Sequence, residues 1–149
     1  MVHVQQALAS LPVSSELIER AASAALAHEK VQADLTVVLG DDTQLQQMNR
    51  EYLGVDSPTD VLAFPASDTD PDSGQLYLGD VLISIPQAQA HAQAAGHPLA
   101  SEVQLLIVHG VLHLLGYDHG QPATKSRMWA AQAEVLQDLG LAKIHISES

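Results

Sequence analysis

The chain has 149 residues, with six Lys and Arg against 18 Asp and Glu, and a formal net charge of -12 at pH 7. Its length is typical of one domain with a single core, and without cysteine it has neither disulfides nor a thiolate metal site. The first twenty residues lack a basic segment followed by an apolar run, and no apolar stretch is long enough to span a bilayer, so we expect a cytoplasmic protein with no membrane partner.

In the first third of the chain, hydrophobic periodicity predicts two strands that alternate with two helices. Residues 1–5 alternate weakly and suit a short edge strand, whereas residues 14–30 begin with a serine cap and carry apolar side chains on one helical face. Residues 35–39 are apolar and partly β-branched, which predicts a buried strand. Residues 41–54 begin with aspartates and end at a glycine, which is typical of a capped helix.

The middle of the chain reads as two strands around a polar loop, followed by a helix. Residues 59–64 form an extended segment, and residues 66–75, rich in Asp, Ser and Gly, are predicted to form a solvated loop. Residues 76–85 form a long strand in which Gly79 marks a bulge or a close backbone approach. A helix then runs from Pro86, which suits a first turn, to a glycine at its end.

The last third of the chain contains the most apolar helix. It starts near Leu99 and is apolar nearly all round, so it is expected to run through the centre of the fold. A further helix covers residues 122–140, and residues 141–149 read as a tail. The whole pattern predicts an α+β domain, with a small mixed four-stranded sheet packed with about five helices and the central buried helix carrying a histidine motif.

Four polar residues outside that motif have two interpretations each. Asp60 sits in an apolar strand, where a carboxylate is usually hydrogen-bonded to a loop, although a role at the active site is the alternative. His91 and His97 are expected to be exposed rather than to bind a metal. Glu102 either orients a ligand imidazole or favours the N-terminus of the central helix.

The motif itself is HGVLHLLGYDH, residues 109–119. His109 and His113 are four apart, so a helix places both imidazoles on one face. Gly116 can end the helix and reverse the chain, which brings His119 towards the same point. Packed core histidines are the alternative, but three imidazoles without a fourth protein ligand leave one position open for water, as in a catalytic site holding one Zn²⁺.

This spacing is close to the metzincin zinc signature, with one departure. Metzincins carry a glutamate beside the first histidine as the general base of peptide hydrolysis, and Gly110 stands there instead. A metalloprotease is therefore disfavoured. A different substrate or a different base is required.

The motif, together with residues 49–65 and 78–84, resembles the bacterial YbeY family over about residues 33–140. The resemblance implies that residues 1–149 form a single metal-dependent hydrolase domain, a single-strand endoribonuclease acting in 16S rRNA 3′-end maturation and ribosome quality control. It also implies ribosomal RNA and ribosomal proteins or the small ribosomal subunit as partners, with no DNA partner. By the same likeness His109, His113 and His119 are the metal ligands.

Two further residues are catalytic candidates. Asp118, beside His119, is a candidate for orienting water or a ligand imidazole, and the alternative is that it closes the turn through its own backbone. Members often have an arginine where this chain has Leu53. Either nearby Arg50 substitutes as the phosphate clamp, or this chain cleaves RNA weakly, or that arginine is less essential than the resemblance implies.

The scarcity of Lys and Arg weighs against nucleic-acid binding and predicts a shallow salt dependence of any RNA binding. The alternative function is a metal-stabilised ribosome assembly factor that binds its partners without catalysis of its own. The acidic composition and Leu53 favour that alternative.

Overall fold

The computed structural model describes residues 2–6, 13–55, 59–69, 71–117 and 120–141. Within these residues it has four strands and five helices, which confirms the predicted α+β class. In chain order they are β1 (Val2–Gln6), α1 (Ser15–His28), β2 (Asp34–Gly40), α2 (Asp42–Leu53), β3 (Val61–Thr69), β4 (Leu76–Ser84), α3 (Ile85–Ala95), α4 (Leu99–Leu114) and α5 (Pro122–Asp138). Beyond Leu141, the predicted tail lies outside the described residues.

The four strands form one mixed sheet in the order β1-β2-β4-β3. β1, β2 and β4 run parallel, and β3 is antiparallel to β4. The two parallel pairs require crossover connections, which the intervening helices supply. The prediction of a mixed sheet with β1 at its edge is confirmed.

The predicted loop over residues 66–75 is wrong in its first part, because β3 continues to Thr69. Asp68 pairs with Tyr77 and Thr69 with Leu76, so the backbone ladder continues through a segment with a polar, loop-like composition. Strand pairing depends on the neighbouring strand more than on intrinsic preference, which local composition does not report. β4 in turn ends at Ser84, one residue before the predicted end, because the Ser84 hydroxyl caps α3.

Gly79 marks both a bulge and a close backbone approach. Tyr77 pairs with Asp34 and Gly79 with Leu35, so one residue of β4 is extra at this point. Gly79 has a φ of 134°, and a Cβ there would lie 2.1 Å from the carbonyl oxygen of Phe64. Only glycine meets both conditions without strain.

The main core lies between one face of the sheet and the helices α1, α4 and α5. Leu35, Val37 and Leu39 of β2 point into it, as the two-residue period of a strand requires. α4 is buried over most of its length, which confirms the predicted central helix. On the opposite face of the sheet α2 buries a smaller cluster of Leu45, Leu62 and Leu82.

None of the helices in the described ranges combines the length and the apolar character that crossing a membrane demands.

Candidate metal centre

His109 and His113 lie one turn apart on the buried helix α4, and their rings converge. The two Nε2 atoms are 3.2 Å apart, and the ring centroids are separated by 4.7 Å with the planes at 74°. Side chains four residues apart stack on one face of a helix, and the surrounding core holds that face in place. The pair therefore presents two nitrogen atoms to one point in space.

Gln132 of α5 forms a hydrogen bond with the ring of His109. The Gln132 Oε1 atom is 3.0 Å from His109 Nδ1, and Gln132 is 1% exposed. Because the carboxamide oxygen only accepts, Nδ1 carries the hydrogen and Nε2 presents its lone pair towards His113. The Trp129 ring also contacts this imidazole, with centroids 5.8 Å apart and planes tilted by 37°.

Sequence reasoning missed Gln132. The one available signal was its position, because it is a polar residue on the buried face of α5, among Met128, Ala131, Val135 and Leu136. A buried amide on such a face needs a hydrogen-bond partner, but the chain does not reveal which one.

The two nitrogens fit a tetrahedral metal ion. With bonds of about 2.0–2.1 Å to Zn²⁺, two ligand nitrogens lie about 3.3 Å apart, close to the 3.2 Å between His109 and His113. A hydrogen bond donated by the second ring nitrogen, as from His109 Nδ1 to the Gln132 oxygen, is also typical of such sites. A direct N–H···N hydrogen bond between the rings has a similar length, so ligation stays a prediction at this stage.

The third predicted ligand, His119, and the neighbouring Asp118 lie outside the described residues. Within the part of the chain that the structure describes, no group of three His, Asp or Glu side chains is arranged to hold a metal ion. The described geometry therefore concerns two of the three predicted ligands.

A cleft of about 420 Å³ opens beside the two histidines. Its walls include His109, Gly110 and His113 of α4, and Asp60 with its neighbours at the start of β3. Leu53, at the end of α2, also lines it, whereas Arg50 is exposed one turn earlier and is absent from the described lining. The cleft thus brings together two of the three predicted ligands, His109 and His113, with Asp60 and Leu53, which the sequence had also singled out.

Asp60 has a partner on α3. Its Oδ2 atom lies 3.3 Å from Nδ1 of His91, with side-chain exposures of 21% for Asp60 and 39% for His91. The His91 side chain is therefore partly exposed, in line with the expectation. Its contact with Asp60 also places it beside the cleft wall.

The expectation that His97 is exposed is wrong. Its side chain is 7% exposed, and its Nε2 atom lies 2.7 Å from Oε1 of Glu102, which is equally buried. The chain folds back after α3, so His97 packs on the first turn of α4. Its Nε2 atom pairs with Glu102 there, whereas its buried Nδ1 atom has no hydrogen-bond partner among the described residues. Glu102 therefore contacts His97 rather than orienting His109 or His113.

Comparisons with known proteins agree on one family. The family model described as Endoribonuclease YbeY matches residues 3–140. Proteins with that name are 42% identical in Moorella thermoacetica, covering 91% of this chain and 94% of the relative, and 38% identical in Brevibacillus brevis, covering 85% and 87%. A third, from Chloroflexus aurantiacus, is 43% identical and covers 89% and 92%.

The fold also has a solved counterpart. The solution structure of TM1509 from Thermotoga maritima matches 99% of this chain and 97% of its own, with a TM-score of 0.60 and 21% sequence identity. At that identity the likeness concerns the fold alone.

The sequence relatives are endoribonucleases, which defines the class as hydrolases that act on RNA. The chain belongs to the YbeY family.

Proposed function

We propose that the chain is a zinc-dependent endoribonuclease that cleaves single-stranded RNA, with one Zn²⁺ bound by His109, His113 and His119. The observation that carries this proposal is the convergence of two Nε2 atoms to 3.2 Å at the wall of an open cleft. A bound Zn²⁺ supplies a Lewis acid for a phosphoryl oxygen and lowers the pKa of a water molecule to about 7.

The protein's own contribution is to hold the donors rigidly and in the correct tautomer. α4 is buried over most of its length, and this packing restricts the movement of the helix that carries the imidazoles. The hydrogen bond between His109 Nδ1 and Gln132 holds the ring so that its other nitrogen, Nε2, faces His113 and the proposed ion position. We assign to Asp118, next to the third proposed ligand, the role of orienting the attacking water.

The mouth of the cleft suits unstacked bases better than a duplex backbone. Leu53, which lines the cleft, is 57% exposed at the end of α2. Its neighbour Tyr52 is 64% exposed and contacts Phe64 with ring centroids 5.5 Å apart. Aromatic rings bind bases by stacking, which single strands allow. Arg50 is assigned a phosphate contact near this mouth. With a net charge of -12 the chain offers few other phosphate contacts.

Family membership extends the proposal to the biological substrate. We assign the RNA as 16S rRNA during 3′-end maturation and ribosome quality control, with ribosomal proteins or the small ribosomal subunit as partners. DNA is not a proposed substrate. Since ribosomal RNA is the proposed substrate, the proposed location of the protein is the cytoplasm.

The test is cleavage of a short end-labelled single-stranded RNA by the full chain, stripped of metal with a chelator and then reloaded with zinc. The reloaded chain is expected to cut this RNA and to leave DNA of the same sequence intact. His113→Ala is expected to abolish cleavage, and His3→Ala, on exposed β1, serves as the matched control. Cleavage that persists in the stripped chain would contradict the proposal.

A second candidate, an assembly factor without catalysis, is favoured by the acidic surface and by Leu53. His109→Ala separates the two. If a folded His109→Ala chain still bound ribosomal particles and still supported RNA processing, the assembly-factor proposal would stand and the nuclease proposal would fail.

A further inference from the structure

Position 110 is closed to the carboxylate that zinc peptidases carry there. A Cβ on Gly110 would lie 2.6 Å from Cγ1 of Val81 and 3.4 Å from Cγ2 of Val61. Both valines belong to the sheet, and Val81 is fully buried. A side chain at position 110 would therefore be directed into packed strands, and a proton acceptor must come from another element.

Asp60 is the only carboxylate among the described residues that line the cleft. It stands at the start of β3, across the cleft from α4. Its side chain is 21% exposed, so it is accessible to water and substrate while largely held by protein. A carboxylate at a partly open cleft wall is a suitable acceptor for a proton from water.

α3 fixes Asp60 at two points. The Asp60 carbonyl accepts the Ser84 N–H at 2.9 Å, and Ser84 caps α3. His91, seven residues after Ser84 and therefore on the same side of that helix, contacts the Asp60 carboxylate at 3.3 Å. Backbone and side chain are thus both tied to one rigid element, as a catalytic group requires.

We propose that Asp60 is the general base of RNA hydrolysis and that His91 is the positioning residue that orients its carboxylate. The inference rests on the proposed nuclease function. It assigns the second carboxylate oxygen, Oδ1, to the attacking water, because Oδ2 faces His91.

In the step proposed, the water oxygen bonds to phosphorus while the bond from phosphorus to the leaving ribose oxygen breaks. The leaving oxygen keeps the bonding electron pair. One water proton passes to Asp60, and Asp60 then gives a proton to the leaving oxygen. The carboxylate is regenerated, and the products are one phosphate monoester end and one hydroxyl end.

The test uses the zinc-loaded full chain and Asp60→Asn. On short single-stranded RNA, kcat is expected to fall about 10²–10⁴-fold, the effect typical of losing a general base, with KM changed less than about threefold. Zinc content, measured by elemental analysis, and the thermal unfolding midpoint are expected to stay at their wild-type values. Asp42→Asn is the matched control, because Asp42 bonds the Ser84 hydroxyl and the Gln87 amide at the same helix cap but is outside the cleft lining.

His91 has its own pair of variants. His91→Ala is expected to lower kcat about tenfold with KM unchanged, and His91→Asn, whose amide nitrogen occupies the place of Nδ1, is expected to restore most of that loss. If Asp60→Asn fails to fold, these two His91 variants still test whether His91 positions Asp60 as the general base. Equal kcat in His91→Ala and wild type would then overturn the inference.

The outcomes separate this inference from the proposed function. If wild type cleaves RNA and Asp60→Asn cleaves at a similar rate, the inference fails and the nuclease stands. Loss of zinc from Asp60→Asn would make Asp60 a metal ligand and also overturn it. A zinc-loaded wild type that leaves RNA intact would overturn the proposed function and the inference together.

Discussion

Gly110 lies on the face of α4 that packs against β4, where its missing side chain brings helix and sheet together. We expect Gly110→Ala to lower the free energy of unfolding by about 1–3 kcal/mol, because the new methyl group overpacks against Val81. Alanine ordinarily stabilises a helix by about 1 kcal/mol relative to glycine, so a net loss would show that the close approach dominates. Urea unfolding of the two chains measures the difference.

The control for this prediction is the same substitution in a Val81→Ala chain. Removing the Val81 methyl groups takes away the contact at 2.6 Å, so Gly110→Ala is expected to be neutral or stabilising there. An equal loss of stability in both backgrounds would contradict the packing explanation.

Leu53 stands where the resemblance to the family implies an arginine. It is 57% exposed and lines the cleft, so Leu53→Arg adds a cation there without removing core packing. We expect the dissociation constant for single-stranded RNA to fall about 3–10-fold at low salt, and the salt-dependence slope to increase by about 0.7. Fluorescence anisotropy with labelled RNA over a series of salt concentrations measures both quantities.

Val55→Arg is the matched variant, because Val55 is 48% exposed on the same segment but is absent from the described cleft lining. It adds the same charge a short distance away. If both variants strengthened RNA binding equally, the effect would come from net charge and not from the cleft.

Contacts between side chains on different elements could not be predicted from the sequence. The His109 and His113 convergence follows from helical spacing alone. The contacts of His109 with Gln132, of Asp60 with His91 and of His97 with Glu102 depend on how elements pack or how the chain folds back. Spacing along one element carries no information about them.

At the scale of elements, α1 and α5 are joined through one histidine. His28, at the end of α1, contacts Glu29 at 2.6 Å through Nδ1 and Glu134 of α5 at 2.5 Å through Nε2. Glu29 also accepts the Tyr117 hydroxyl at 3.0 Å, so the cluster reaches the turn after α4. The hydrogen bond to Glu134, and then that to Glu29, raise the pKa of His28 above its ordinary value of 6.5, against an opposing effect of burial.

A raised pKa in the folded chain makes the cluster stabilising at low pH. The protonated imidazole contributes fully below pH 6.5, and the contribution is lost as pH rises through the higher pKa of the folded state. We therefore expect the stability difference between wild type and His28→Gln to shrink as the pH rises from 6.5 into the alkaline range. Urea unfolding over that range measures it.

His3→Gln, on the exposed side of β1, is the matched histidine control and is expected to show a smaller change with pH. A difference between wild type and His28→Gln that stayed constant with pH would contradict the assigned pairing.

The helix boundaries followed closely from the sequence, because their signals are local. Ser14 and Asp41 cap α1 and α2 through their side chains, and Gly54 and Gly96 end α2 and α3 in the left-handed conformation. The extension of β3 to Thr69 did not follow, because it depends on hydrogen bonds to β4. Local chemistry fixes where a helix starts and stops, whereas a strand ends where its neighbour stops pairing.

At the scale of the whole molecule, the apolar sequence of α4 predicts both a central buried helix and the place of the candidate metal centre on it. A helix without a polar face must be covered on all sides, and the sheet with α1, α3 and α5 provides that cover. The histidines near its C-terminal end then reach the one side that opens to a cleft. The order of strands in the sheet was not predicted, because hydrophobic pattern specifies faces but not neighbours.

The proposed activity depends on three imidazoles that bind one zinc ion and leave one coordination position open to solvent. Zinc-edge X-ray absorption on the zinc-loaded full chain tests this directly. We expect three nitrogen neighbours and one solvent oxygen at about 2.0–2.1 Å, with one nitrogen lost in His119→Ala. A chain that binds no zinc, or a zinc ion enclosed by four protein side chains, would contradict the account.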